Sequence, residues 1–236
     1  MEILKKIKNN IIISIQAMPD EPLYNETSMM AMIDSVIDLG GASVVRLAGY
    51  RDIKNVKEKY PNTTIIGITK PSVIPKNYKE LVYITPTIND CKIVIDAGAD
   101  IVAFDGTKRK RPNNETTKDL IDYIHSKNKL AMADIATFEE AKDNSLLGAD
   151  IVSTTLSGYT TETQSNPDCP DFELVKKIKE NLNIFTILEG KIWEKQDVIK
   201  AFNSGADSVV IGSAVTRPQL ITKRFINTLK EIKWKH

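Results

Sequence analysis

The chain has 236 residues, 42% of them hydrophobic and 27% charged, enough apolar material for a sizeable core and ordinary for a globular protein. Its 32 Lys and Arg nearly balance 31 Asp and Glu, so no electrostatic footprint points to nucleic acid or an anionic membrane surface as a partner. The histidines, His125 and His236, and the cysteines, Cys91 and Cys169, stand at no metal-ligand spacing, which argues against His-based triads, His metal sites and a disulfide framework and leaves acid–base work to Lys, Asp, Glu or Tyr.

In chain order, the opening "MEILKKIKNNIIISIQ" carries a few lysines and an apolar run too short for a signal h-region or a membrane span. With so few cysteines, the expected setting is reducing and cytoplasmic. Strand patterns follow in "IIISIQA" (11–17), "GGASVVRLAG" (40–49), "TIIGITK" (64–70) and "GADIVAFDG" (98–106). Four more lie in "KLAMADI" (129–135), "GADIVSTT" (148–155), "NIFTILEG" (183–190) and "GADSVVIGSA" (205–214). Segments with apolar residues three and four apart intervene, such as "SMMAMIDSVIDL", "TFEEAKDNSLL" and "EKQDVIKAFN", and these predict helices. "YITPT" (83–87) reads as wall beside the third strand, not as a ninth strand.

The Gly-Ala steps at 41, 98, 148 and 205 are spaced by 57, 50 and 57 residues, each long enough for two strand–helix units. Their glycines fit the C′ position of a helix entering the next strand. Eight alternating units predict one domain over residues 1–236, a parallel (β/α)8 barrel, in preference to an open doubly wound sheet of five or six strands.

In such a barrel the chemistry gathers at the C-terminal ends of the strands. Those ends carry Gln16, Arg46, Lys70, Asp105 with Arg109, Asp134, Thr154 and Thr155 with Ser157 and Gly158, Glu189-Gly190, and Gly212-Ser213 with Arg217. They predict a mouth rich in charge and poor in aromatics. Asp105 and Asp134 are open to a second reading as helix caps, and "DIATFEE" offers Thr137 and Glu140 as a capping box. Lys70 could be a solvated loop lysine and Arg217 a surface residue of a first helical turn. Glu189 is harder to dismiss: it ends a buried run, and the glycine behind it lets backbone approach a ligand. Glycine turns after strands seven and eight suit phosphate, with the N–H groups of Gly190, Lys191, Gly212 and Ser213 as donors and Arg217 as a charge. The loop "TTLSGYTTETQSNPDCP" after strand six is long enough to be a lid or a slack connection.

Taken in order, "ISIQAMPDEPLY", "IIGITK", "VYITPT", "ADIVAFDGTKRKRP", "MADIATFEEA", "STTLSGYT", "LEGKI" and "VVIGSAVTRP" resemble the N-acetylmannosamine-6-phosphate 2-epimerase family over nearly the whole chain. The resemblance implies a metal-independent barrel enzyme of the phosphate-binding type, without a cofactor. Such an enzyme interconverts N-acetylmannosamine 6-phosphate and N-acetylglucosamine 6-phosphate in sialic acid breakdown. It further implies a catalytic lysine at Lys70 and glutamate at Glu189, with substrate contacts at Gln16, Arg46, Asp134 and Arg217. Phosphate would lie at the glycine turns of Gly190 and Gly212. A homodimer is a family expectation. The chain departs from the family with Ala48 in "RLAG", with "KP" at 70–71 and with "LEGKI", none of which removes a proton-transfer group.

The residues suit the reaction. Epimerising C2 means removing a proton beside the C1 carbonyl of the ring-opened sugar. Lys70 is a base only when neutral, and burial beside Arg46 would lower its pKa from about 10.4. One lysine could serve both faces, or Lys70 and Glu189 could work from opposite faces. A Schiff-base aldolase, a phosphosugar sensor and an isomerase of another phosphosugar are the rival readings.

Overall fold

The computed structural model describes residues 2–165 and 168–230. His236, and Asn166 and Pro167 of the long loop after strand six, lie outside the described residues.

A first helix, α1 (Glu2–Ile7), precedes β1 (Ile11–Ile15). Then come α2 (Glu26–Asp34), prolonged by a π-helical turn over Ser35–Leu39, β2 (Val44–Ala48), α3 (Tyr50–Lys59), β3 (Thr64–Ile68) and α4 (Ile88–Asp96). The chain continues through β4 (Ile101–Asp105), α5 (Thr117–Ser126), β5 (Leu130–Asp134), α6 (Phe138–Leu147), β6 (Ile151–Ser153) and α7 (Phe172–Asn181). It closes with β7 (Phe185–Glu189), α8 (Lys195–Asn203), β8 (Ser208–Ile211), the short α9 (Ser213–Thr216) and α10 (Pro218–Asn227). All strands run parallel in sequence order, and β8 returns to β1 through Ile11↔Val209 to Ile13↔Ile211. This is the predicted (β/α)8 barrel. Among the described residues no helix is long and apolar enough to cross a membrane.

Strand alternation gives an inner cluster and an outer layer that, among the described residues, falls into two parts, the smaller of them Val175, Leu188, Ile192, Ala201, Ala206 and Val209. Ile12, Val44, Ile66, Ile101, Met132, Ile151, Ile187 and Val210 form one buried cluster, and Ile7 of α1 joins it. Val45, Leu47, Ile65, Val102, Phe104, Ala133 and Val152 join a second cluster with the helical Ile33, Ile53, Val94, Leu120 and Ile124.

The Gly-Ala repeat has a structural reason at each of its steps. Gly41, Gly98, Gly148 and Gly205 have φ of 75, 108, 100 and 96°, the left-handed region that ends a helix most cheaply with glycine. Asp100 Oδ2 accepts from the Ile65 amide at 3.0 Å, Asp150 Oδ2 from Ala131 at 2.8 Å and Asp207 Oδ2 from Thr186 at 2.9 Å. Each aspartate thus caps the foot of the neighbouring strand. Each also meets a basic side chain of the helix that leads into the capped strand: Lys57 of α3, His125 of α5 or Lys179 of α7. His125 therefore has a structural partner at the face opposite the chemistry.

Near the mouth the strands are shorter than the sequence suggests. β3 stops at Ile68 because the "YITPT" segment takes over the pairing. The Thr85 amide donates to Thr69 O, Thr69 N donates to Thr85 Oγ1, and Asp105 N donates to Ile84 O. The segment is wall and not strand, as expected, and it leaves Lys70 two residues beyond β3.

Candidate active site

The floor of the mouth is a buried ion cluster. Arg46, from β2, is 1% exposed and forks onto Asp134 at the end of β5, with Nη2–Oδ2 at 2.5 Å and Nη1–Oδ1 at 3.1 Å. Its Nη1 also donates to Glu189 Oε2 at 2.5 Å. Glu189 ends β7 and keeps 13% of its side chain exposed. Burial by itself would lower the Arg46 pKa, but the two carboxylates outweigh it and hold the guanidinium charged. Burial raises the Glu189 pKa, with Asp134 adding to the rise; Arg46, Thr155 and Lys70 oppose it.

Lys70 stands apart from that cluster. Its side chain is half-buried and has no hydrogen bond or ion pair among the described residues. Burial is the first cause that lowers its pKa to about 8, and Arg46 is the next; Glu189 opposes them. The expectation of a lysine brought toward neutrality by burial and Arg46 is met in direction and cause.

Lys70 and Glu189 line one cavity of about 460 Å3 at the C-terminal mouth. Gln16, Gly190, Lys191, Gly212, Ser213 and Arg217 line it too, so the mouth unites eight of the ten predicted site residues. Arg46 and Asp134 are not among the lining residues; they lie in the buried cluster behind Glu189. Gln16 donates to Ser14 Oγ at 2.8 Å, while its Oε1 is buried with no partner. Arg217 Nη1 lies 3.2 Å from Glu21 Oε1. Gly190 and Lys191 both adopt positive φ, 111 and 59°, which turns the chain sharply after β7. Gly212 leads straight into α9, whose Thr216 hydroxyl ties back to Ser14 O at 2.9 Å.

The expectation of a mouth poor in aromatics is overturned. Tyr83, Tyr159 and Trp193 line the cavity, delivered by the segments after β3, β6 and β7. Reading only strand ends missed them, because loops carry them in from beyond the barrel rim. The Lys191 ammonium stands 5.6 Å from the Tyr159 ring centre and 4.0 Å from Asp168.

Asp105 and Asp134 resolve differently. Asp105 Oδ1 accepts from the Thr107 amide and hydroxyl, and Oδ2 pairs with Arg109 Nη2 at 2.6 Å. Arg109 Nη1 in turn donates to the carbonyls of Tyr78 and Lys79, so this pair pins the loop after β3. The helix cap near Asp134 is the Thr137–Glu140 capping box that the sequence offered, which leaves Asp134 to Arg46. Sequence reasoning assigned no role to Thr155. Its hydroxyl lies 2.7 Å from Asp134 Oδ1 and 3.1 Å from Glu189 Oε2. The doubled "TT" after strand six was the available signal.

Fold and site together define a (β/α)8-barrel enzyme in which a lysine and a glutamate face one polar cavity. A family sequence model described as "Putative N-acetylmannosamine-6-phosphate epimerase" matches residues 28–231. A Clostridium perfringens protein named "Putative N-acetylmannosamine-6-phosphate 2-epimerase" is 44% identical over 230 residues, covering 96% of this chain and all of that protein. A namesake from Caldanaerobacter subterraneus is 41% identical over 234 residues, covering 98% of this chain and 95% of its own. A solved structure described as the N-acetylmannosamine-6-phosphate 2-epimerase from Clostridium perfringens superposes with a TM-score of 0.88 at 43% identity, covering 96% of both chains. The chain belongs to the N-acetylmannosamine-6-phosphate epimerase family.

Proposed function

We propose that this protein interconverts N-acetylmannosamine 6-phosphate and N-acetylglucosamine 6-phosphate by removing and returning the proton at C2 of the ring-opened sugar. The observation that carries the reading is Lys70, an unpaired amine with its pKa lowered to about 8, lining the same cavity as Glu189. An amine titrating near the working pH is suited to take a proton from carbon and give it back. The proton leaves C2 to the Lys70 nitrogen, and the electron pair moves through C1 onto the carbonyl oxygen, giving an enolate that carries the acetamido group on C2. The ammonium just formed then stands near that oxyanion, where its charge counts most in a partly dry site. Glu189 handles the second proton. Arg46 and Asp134, buried behind it, act by holding it in place.

The glycine turns at Gly190 and Gly212, with Lys191, Ser213 and Arg217, are the phosphate end of the cavity. Closely spaced amides and two cations suit a dianion. A small phosphosugar is the substrate this end of the cavity suits, and the few cysteines favour the cytoplasm as its setting. The competing Schiff-base chemistry also needs a neutral lysine. The distinction lies in Glu189 beside it, and borohydride trapping would expose an imine.

The test is proton NMR of N-acetylmannosamine 6-phosphate with the protein in D2O, without added metal. The gluco epimer should grow in with deuterium at C2. Folded protein that gives neither epimer nor label overturns the proposal.

A further inference from the structure

The hydrogen bonds around Glu189 divide its two oxygens between two tasks. Oε2 takes Arg46 Nη1 at 2.5 Å, Thr155 Oγ1 at 3.1 Å and Ser153 Oγ at 3.5 Å. Oε1 has no hydrogen-bond partner among the described residues, and it is not a sealed atom: the orphaned buried side-chain atoms are Gln16 Oε1, Arg46 Nε, Arg111 Nη2 and Asn144 Oδ1. Oε1 therefore opens on the cavity that Glu189 lines. The backbone is held equally firmly. The Thr154 hydroxyl donates to Glu189 O at 3.0 Å and accepts from Glu189 N at 3.1 Å.

Thr155 is the junction of this arrangement. Its hydroxyl oxygen lies within hydrogen-bond distance of Asp134 Oδ1, Ser153 Oγ and Glu189 Oε2, at 2.7, 2.9 and 3.1 Å, and 3.5 Å from Arg46 Nη1. A hydroxyl has a single proton to donate. Two carboxylates share one guanidinium and this one proton, so the hydroxyl decides how negative charge is divided between Asp134 and Glu189.

We propose that Thr155 is a positioning residue for the reaction: its hydroxyl, bridging Asp134 and Glu189, anchors Oε2 and leaves Oε1 as the oxygen that exchanges protons with substrate. The inference rests on the epimerase reading and deepens it. The titratable and charged groups facing Glu189 are Arg46 from β2, Lys70 beyond β3, Asp134 from β5 and Tyr159 after β6; changing Thr155 removes none of these groups, although Asp134 loses the same hydroxyl. Loss of the hydroxyl removes a donor that favours ionised Glu189, so its proton is held to higher pH.

The experiment compares wild type with Thr155→Val, which keeps the shape and loses the hydroxyl, and Thr155→Ser, which keeps the hydroxyl. Epimerisation of N-acetylmannosamine 6-phosphate is followed over a pH series, with thermal midpoints as a check on folding. Thr155→Val should lower kcat about tenfold to a hundredfold, as expected for losing a hydrogen bond to a charged group. KM should stay within about twofold, the pH limb belonging to Glu189 should move to higher pH, and Thr155→Ser should restore both. Should the valine variant not fold, Thr155→Ala carries the same expectation. A raised KM with unchanged kcat and limb overturns the inference, because Thr155 then binds substrate directly. Equal loss in the serine variant overturns it as well. An inactive wild type would count against the epimerase reading, whereas an active wild type with an unmoved Thr155→Val profile would count against the role of Thr155 alone.

Discussion

Replacing Arg46 by methionine tests the buried cluster from its centre. The guanidinium is 1% exposed, grips Asp134 with two nitrogens and reaches Glu189 with one of them. Methionine keeps the apolar stem and removes the charge, leaving two carboxylates without their cation. Breaking a buried pair in this way costs about 3–5 kcal/mol. For a chain of this size each kcal/mol lowers the melting midpoint by about 2–4 °C, so a fall of roughly 6–20 °C is expected. The pH dependence has a definite sign. Burial already raises the Glu189 pKa, and Arg46 is the largest force opposing that rise. Without Arg46 the folded-state pKa climbs further above the unfolded value of about 4.3. Such a group weakens the fold once pH passes its unfolded pKa, and the penalty grows until the folded pKa is reached. The deficit of Arg46→Met against wild type should therefore be largest at pH 7–8 and shrink toward pH 5. Thermal denaturation across that range measures it. A deficit that is flat with pH, or that widens in acid, refutes the charge argument and leaves only lost packing.

Lys70→Met should lower kcat by about a hundredfold to ten-thousandfold, with no fall in melting midpoint, since the amine has no hydrogen bond or ion pair to lose among the described residues. In the wild type, kcat/KM should rise through about pH 8 as Lys70 gives up its proton, and a profile flat from pH 6 to 9 would contradict its role as the base. At Gly158, φ is +84° and an added Cβ would collide with the Lys191 ammonium, so Gly158→Ala should displace that cation. Its expected signature in steady-state kinetics is a raised KM for the phosphosugar with a smaller change in kcat. Asp207→Ala loses the cap on the Thr186 amide and the Lys179 contact, so it should destabilise by about 1–3 kcal/mol while kcat stays near wild type.

Much of this was legible in the sequence because it follows from periodicity. The Gly-Ala steps report helix ends, and the strand ends fall where side chains must converge; Lys70, Glu189, Gly190 and Gly212 were found from those positions. What stayed hidden depends on long loops and on direction. Tyr83, Tyr159 and Trp193 reach the cavity from segments whose path no local pattern sets. Asp134 ends β5 and Arg46 sits in the middle of β2, and their mutual charge draws them into the floor behind Glu189. No spacing distinguishes a carboxylate that faces substrate from one that faces an arginine.

Asp105 and Asp134 make the point most sharply. They are register partners on adjacent strands, each the last residue of its strand and each fully buried. Asp105 binds an arginine four residues on in its own loop, which then holds the carbonyls of Tyr78 and Lys79. Asp134 binds an arginine 88 residues away, three strands round the barrel, which then holds Glu189. At the opposite face, Asp100, Asp150 and Asp207 repeat a single task, because the feet of β3, β5 and β7 each present a backbone amide that needs an acceptor. The mouth has no such common demand: one substrate meets eight different strand ends, so each end is free to take a different partner. The repeat therefore survives where the backbone sets the requirement and dissolves where the ligand does.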